Sequence, residues 1–118
     1  MDYSVILDDL YQLTDEIKET KEYKTLKSSY DELMNNPETI ELIKIFNIDK
    51  ANYNESNTQS IEKLSLSKKA LYTHPLYIKY SNALIEYNKM IKEIETKINK
   101  TIYKDNVRKL SKSGCKND

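Results

Sequence analysis

Leu33-Met34-Asn35-Asn36-Pro37 is answered further along the chain by Leu71-Tyr72-Thr73-His74-Pro75. In both stretches an apolar helical segment ends and a polar residue precedes a proline. An isoleucine then follows at the same offset, Ile40 and Ile78. Proline fits the first turn of a helix, where its missing N–H has no intrahelical partner anyway. It also drives the residue before it out of helical geometry. Each stretch is therefore a helix-to-helix corner, and the chain reads as helices folded back at marked points. A duplicated helical hairpin would give this rhythm, and so would any antiparallel bundle.

Composition closes off the alternatives. The chain has 118 residues, with 1 glycine (Gly114) and 2 prolines, both spent on the corners. So few turn-formers leave little material for hairpins, which favours an all-α fold. We expect an antiparallel helical bundle of about five helices with a long C-terminal helix. Residues 1–110 form a single domain in this reading, and 111–118 form a disordered basic tail.

Upstream of the first corner, Asp2 is the expected cap of a helix over Tyr3 to Glu19. Its apolar face is Ile6, Leu10, Leu13 and Ile17. Thr20 is a second N-cap, followed by the stripe Tyr23, Leu26, Tyr30 and Leu33. Nothing that breaks helices separates these two segments, so they could be continuous. Asn36 caps a third helix that is apolar on two rows: Ile40, Ile43, Phe46 and Leu42, Ile45, Ile48. Two rows mean a helix sandwiched between neighbours, an oligomer interface, or one broad core face.

The polar run from Ala51 to Ser60 is the expected loop. A fourth helix follows with Ile61, Leu64 and Leu71 inward and Lys63, Lys68 and Lys69 outward. The fifth carries Leu84, Tyr87, Ile91, Ile94, Ile98 and Ile102 at near-heptad spacing, which suits a long antiparallel partner.

Catalytic chemistry finds little to work with. His74, the one histidine, sits at a corner where capping is the ordinary role, and no sequence pattern supplies a nucleophile or orienting carboxylate. The carboxylates are spread over helix surfaces with lysines nearby, and no Glu-x-x-His pair suggests a di-metal site. Glycine-rich phosphate loops and zinc spacings are absent. The sequence therefore predicts a protein that is not an enzyme.

Lys+Arg and Asp+Glu both number 19, which argues against a dedicated nucleic-acid binder. The C-terminal segment nevertheless gathers Lys100, Lys104, Arg108 and Lys109, an alternative surface for RNA phosphates. The plainer reading is a solvated helix end with cations suited to its dipole. The acidic N-terminus is no targeting sequence, and no apolar run approaches the roughly 20 residues of a membrane span. With the one cysteine, Cys115, these features predict a cytoplasmic protein without membrane insertion.

Several of these stretches together resemble a known family. Ile6-Leu7-Asp8-Asp9-Leu10-Tyr11-Gln12-Leu13 is followed by Glu22-Tyr23-Lys24. Asn36-Pro37-Glu38-Thr39-Ile40-Glu41-Leu42-Ile43-Lys44-Ile45-Phe46 comes next, then His74-Pro75-Leu76-Tyr77-Ile78 before an isoleucine-rich helix. Over residues 3 to 103 the pattern is similar to the YlbF/YmcA family of small helical bacterial proteins. The resemblance implies a non-enzymatic regulator, and a bundle that forms homo- or hetero-oligomers with family paralogues. It also implies partnership with a YaaT-like protein and ribonuclease Y in messenger RNA processing, and through it control of competence, sporulation and biofilm formation.

Some members carry C-terminal cysteines that help hold iron–sulfur clusters in the complex. Cys115 stands where such a tail would be, but the other cysteines are missing. The chain is thus expected to need no cofactor of its own, Cys115 being at most one ligand of a site shared between chains. A regulator of this kind must present a helical binding surface. The best candidates are Leu42, Ile45 and Ile48 with Tyr72, Tyr77 and Tyr80, since tyrosines bury large area with few rotors, although the same residues suit the core equally well.

Overall fold

The computed structural model describes the backbone of residues 3–116 and the side chains of residues 3–104. It contains α1 (Ser4–Lys18), α2 (Lys21–Met34), α3 (Pro37–Ala51), α4 (Thr58–Tyr72) and α5 (Pro75–Lys116), and no strand among the described residues. The side chains of the expected tail, Cys115 among them, and those of Arg108 and Lys109 before it lie outside the described residues.

Local chemistry explains each boundary. The side chains of Thr20, Asn36 and Asn57 accept the backbone N–H of Tyr23, Thr39 and Ser60 at 3.2, 3.1 and 3.2 Å. Each satisfies a donor that would otherwise be orphaned in the first turn. Thr20 is extended (ψ 154°), so α1 and α2 are separate helices. Tyr3 occupies the N-cap of α1 without a side-chain cap bond, and Asp2, the expected cap, is outside the described residues. The polar run yields a shorter loop than its composition suggests, because Asn57 starts α4 inside it. That loop is stitched by Ser60 Oγ, which donates toward the carbonyls of Asn54 (2.9 Å) and Asn57 (2.8 Å) and accepts the Asn54 N–H at 3.0 Å.

The helices pack as two antiparallel pairs. On α5, Tyr87 meets Tyr23 of α2 with ring centroids 6.3 Å apart, and Tyr80 meets Tyr30 at 5.9 Å. Lys79 Nζ lies 2.8 and 3.0 Å from the Glu32 carboxylate oxygens across the same seam. The other pair is α3 with α4, where Phe46 meets Tyr72 at 5.9 Å. Both proline corners fall at one level, since His74 Nε2 of the second stands 3.7 Å from Glu38 Oε1 of the first. The chain is thus a long hairpin whose two limbs are broken side by side.

Its core is thin. Among the described large apolar residues only Leu33 and Leu71 are buried, joined by Ala83, Ser29, Thr39 and Ser67. Small residues at the seam let helices approach closely. The buried hydroxyls of Ser29 and Ser67 donate to carbonyls of their own turns, Leu26 at 2.9 Å and Leu64 at 3.2 Å. The radius of gyration is 22.6 Å. A compact chain of this length would have about 13–14 Å, so much of the apolar surface has no second layer to cover it.

Two expectations need correcting. Ile61 is exposed, and Ser60 takes the half-buried place near the start of α4. On α5, Leu84, Tyr87, Ile91 and Ile94 are half-buried as the seam predicts, but Ile98 and Ile102 are exposed. Tyr87 faces Tyr23 near the start of α2, and Ile98 and Ile102 lie farther along α5 from that point than Ile91 and Ile94.

Candidate functional site

The corner level is where the candidate residues gather. Tyr72 closes α4 and Tyr77 opens α5, so the second proline folds their rings together at 4.7 Å, nearly parallel at 13°. Tyr80, one turn on, meets Tyr77 at 6.3 Å. Phe46 on one side and Tyr30 on the other extend this into a row of aromatic rings from α2, α5, α4 and α3. Burial, then a hydrogen bond with the Tyr72 hydroxyl and the nearby phenols of Tyr72 and Tyr80, push the Tyr77 phenol up to about 12. A phenol held neutral to that pH is a packing element, not a proton carrier.

The α3 row divides. Ile45 is 41% exposed and Ile48 58% exposed, so both face away from α4, whereas Leu42 is half-buried. Tyr72 is 41% exposed, and Tyr77 and Tyr80 are half-buried. The structure therefore offers an apolar outer face on the α3–α4 limb, bordered by the aromatic row. Sequence reasoning missed Leu66, the barest apolar side chain of α4 at 70% exposure. The signal was there: Leu66 stands two places after Leu64, off the stripe of Leu64 and Leu71, and must point away from it.

His74 is a structural residue. Its Nδ1 accepts the Leu76 N–H at 3.1 Å, which caps α5, and its Nε2 faces the Glu38 carboxylate. Among the described residues no group of histidine, cysteine and carboxylate side chains is placed to hold a metal ion. No helix among them is long and apolar enough to cross a membrane. Lys100 and Lys104 are exposed on α5, and Lys89, Lys92, Lys97 and Lys100 line a shallow groove that also includes Glu93. Arg108 and Lys109 are outside the described side chains, so the alternative nucleic-acid surface is seen in half.

Known proteins share this helical fold. Residues 6–103 match the family model described as control of competence regulator ComK, YlbF/YmcA. The fold is similar to a chain in the X-ray crystal structure of Bacillus subtilis RicA in complex with RicF. That match has a TM-score of 0.74 at 16% sequence identity and covers 83% of this chain and 93% of that one. Among curated proteins no significant match is found.

Proposed function

This chain belongs to the YlbF/YmcA family, and from that premise we propose that it is a regulatory subunit that works by assembling with a paralogue of its own family. The observation that carries the reading is the uncovered apolar face of the α3–α4 limb. Ile45 and Ile48 of α3 and Leu66 of α4 are exposed on that limb, which also carries Phe46 and Tyr72 of the ring row. Large apolar side chains exposed together mark a protein-binding surface, and rigid aromatic neighbours supply anchors. RicA, whose fold is similar, is found in complex with RicF.

In this reading the chain has no reaction of its own and no cofactor of its own. Its regulatory output is messenger RNA processing through a YaaT-like protein and ribonuclease Y, in the cytoplasm. Direct RNA binding by the C-terminal lysines is the weaker account, because Glu93 interrupts their groove and the overall charge is balanced.

The test is co-expression of the tagged full-length chain with family paralogues from its own genome, followed by pull-down. Wild type should retain a paralogue, and Ile45→Lys should lose it while keeping its helical circular dichroism and melting transition. An unfolded Ile45→Lys would show the row to be core. A folded variant that still retains the paralogue would place the binding surface elsewhere. Enrichment of ribonuclease Y or a YaaT-like protein with the native chain tests the output, and its absence removes that part.

A further inference from the structure

Helix α1 is weakly engaged with the rest of the molecule. No residue of it is buried, and Ile6 is 63% and Leu10 52% exposed. It touches chiefly α2, at their junction, where Leu13 and Ile17 are half-buried. A helix of about this length without tertiary packing is marginal in water, and Tyr3 gives it no side-chain cap. A row of exposed apolar residues on such a helix suits it to dock on another protein.

Its sequence repeats after seven residues, close to two helical turns. Ile6, Asp8, Asp9 and Leu10 are answered by Leu13, Asp15, Glu16 and Ile17. Ile6, Leu10, Leu13 and Ile17 make the apolar stripe. Asp9 is three residues from Ile6 and four from Leu13, and Glu16 is three from Leu13, so both carboxylates border the stripe along the same edge. Asp8 and Asp15 have no neighbour of that kind in the stripe and stand on the far side of the helix, as Glu19 does. Leu7 and Thr14 form the other edge, with Lys18 behind them. Glu19 is taken by Lys24 at 3.3 Å, and Glu16 Oε1 has the Gln12 amide at 3.5 Å. Among the described residues no cation pairs with Asp9 or Glu16.

An acidic edge beside an apolar stripe is complementary to an apolar groove with lysines or arginines along one wall. This chain interleaves its own charges: Glu93 and Glu95 stand among the lysines of α5, Glu62 beside Lys63 on α4, and Glu41 near Lys44 on α3. The carboxylates of α1 also oppose docking on an anionic membrane surface. We propose that α1 is a docking helix for a different protein. It lies in an apolar groove of that partner, with Asp9 and Glu16 against a basic wall and Asp8 and Asp15 in solvent. This contact rests on α1 alone and leaves the α3–α4 face open.

The experiment uses the full-length chain with a photo-reactive phenylalanine in place of Leu10 and, separately, of Leu7. Each is cross-linked in its own cells, and the joined peptide is identified by mass spectrometry. The protein so identified is then purified and titrated against wild type and variants at about 0.15 M salt. The cross-link should fall on a different protein, beside lysines or arginines. Asp9→Lys with Glu16→Lys should weaken binding by about tenfold or more, because like charges then meet. Asp8→Lys with Asp15→Lys makes the same change of charge on the far side and should alter binding by less than about threefold. Glutamates in place of the partner's cross-linked cations should rescue the first pair of substitutions. Since α1 buries no residue, every variant should keep the melting transition of the rest of the chain.

The proposal is overturned by cross-links to a second copy of this chain alone, or by none at either position. Equal effects of the two charge reversals overturn it, as does a failed rescue. A cross-link that Ile45→Lys abolishes does so too, because α1 would then only extend the α3–α4 surface. Loss of paralogue binding in Ile45→Lys with the cross-link intact separates the two contacts.

Discussion

Replacing Thr39 with valine tests how the first corner is held. Thr39 is fully buried, and its hydroxyl donates to the Leu33 carbonyl, with the Asn36 carbonyl 3.0 Å away. In an uninterrupted helix the Leu33 carbonyl would accept the N–H four residues on, but that residue is Pro37. The Thr39 hydroxyl supplies the donor that the proline removed. Asn36 does not depend on it, since its carbonyl also accepts the Ile40 N–H at 3.0 Å.

Valine keeps the volume and removes the donor, which strands a carbonyl on Leu33, a residue 3% exposed. An unsatisfied buried carbonyl costs about 1–3 kcal/mol. Serine keeps the donor and loses one methyl, about 0.8 kcal/mol of transfer free energy. Urea unfolding at one fixed protein concentration should therefore rank wild type first, then Thr39→Ser, then Thr39→Val, with an unchanged denaturant slope. The reverse order of the two variants would show that packing, not the hydrogen bond, secures the corner. A Thr39→Val variant within about 0.5 kcal/mol of wild type would refute the argument outright.

Two further outcomes follow from the other corner. His74→Ala should lose about 0.5–2 kcal/mol in the same unfolding assay, as removed N-caps do. His74→Asn should recover most of that, and equal losses would mean that the cap bond to Leu76 contributes nothing. Tyr77, with its phenol raised to about 12 in the folded state, favours folding fully below the ordinary tyrosine range near 10. That contribution disappears as pH rises through 12, so tyrosinate absorbance of the folded protein should show a late-titrating phenol that Tyr77→Phe abolishes. If the late phase survives in Tyr77→Phe, the assignment is wrong.

The corners were legible because proline and its capping residue leave little conformational choice: Thr20, Asn36 and Pro37 do in the structure what their chemistry dictates. Most of the apolar face of α5 was legible from its spacing for the same reason. What the sequence hid was the identity of the contact residues. Periodicity searches weight large apolar side chains, which finds Leu33 and Leu71 but passes over Ser29, Thr39, Ser67 and Ala83, buried alongside them. Small residues mark close approach only once the partner helix is known. The ends of the stripes were hidden too, because Ile98 and Ile102 continue the pattern without an opposing helix in the same chain. Of the candidate surface, Ile45, Ile48 and Tyr72 are exposed, whereas Leu42, Tyr77 and Tyr80 are half-buried, a division that spacing along the chain does not set.

The side-by-side placement of the two corners has a bearing on how such a chain diversifies. Glu38 and His74 meet at the joint, and beyond it α2 belongs with α5 and α3 with α4. Substitutions on the outer face of α3 or α4 can change what that limb grips without shifting the tyrosine pairs that register α2 on α5. The joint divides the sequence into one part free to acquire a new partner and another that preserves how the molecule is built. A lineage of paralogues could exchange binding specificities on this plan while sharing one frame.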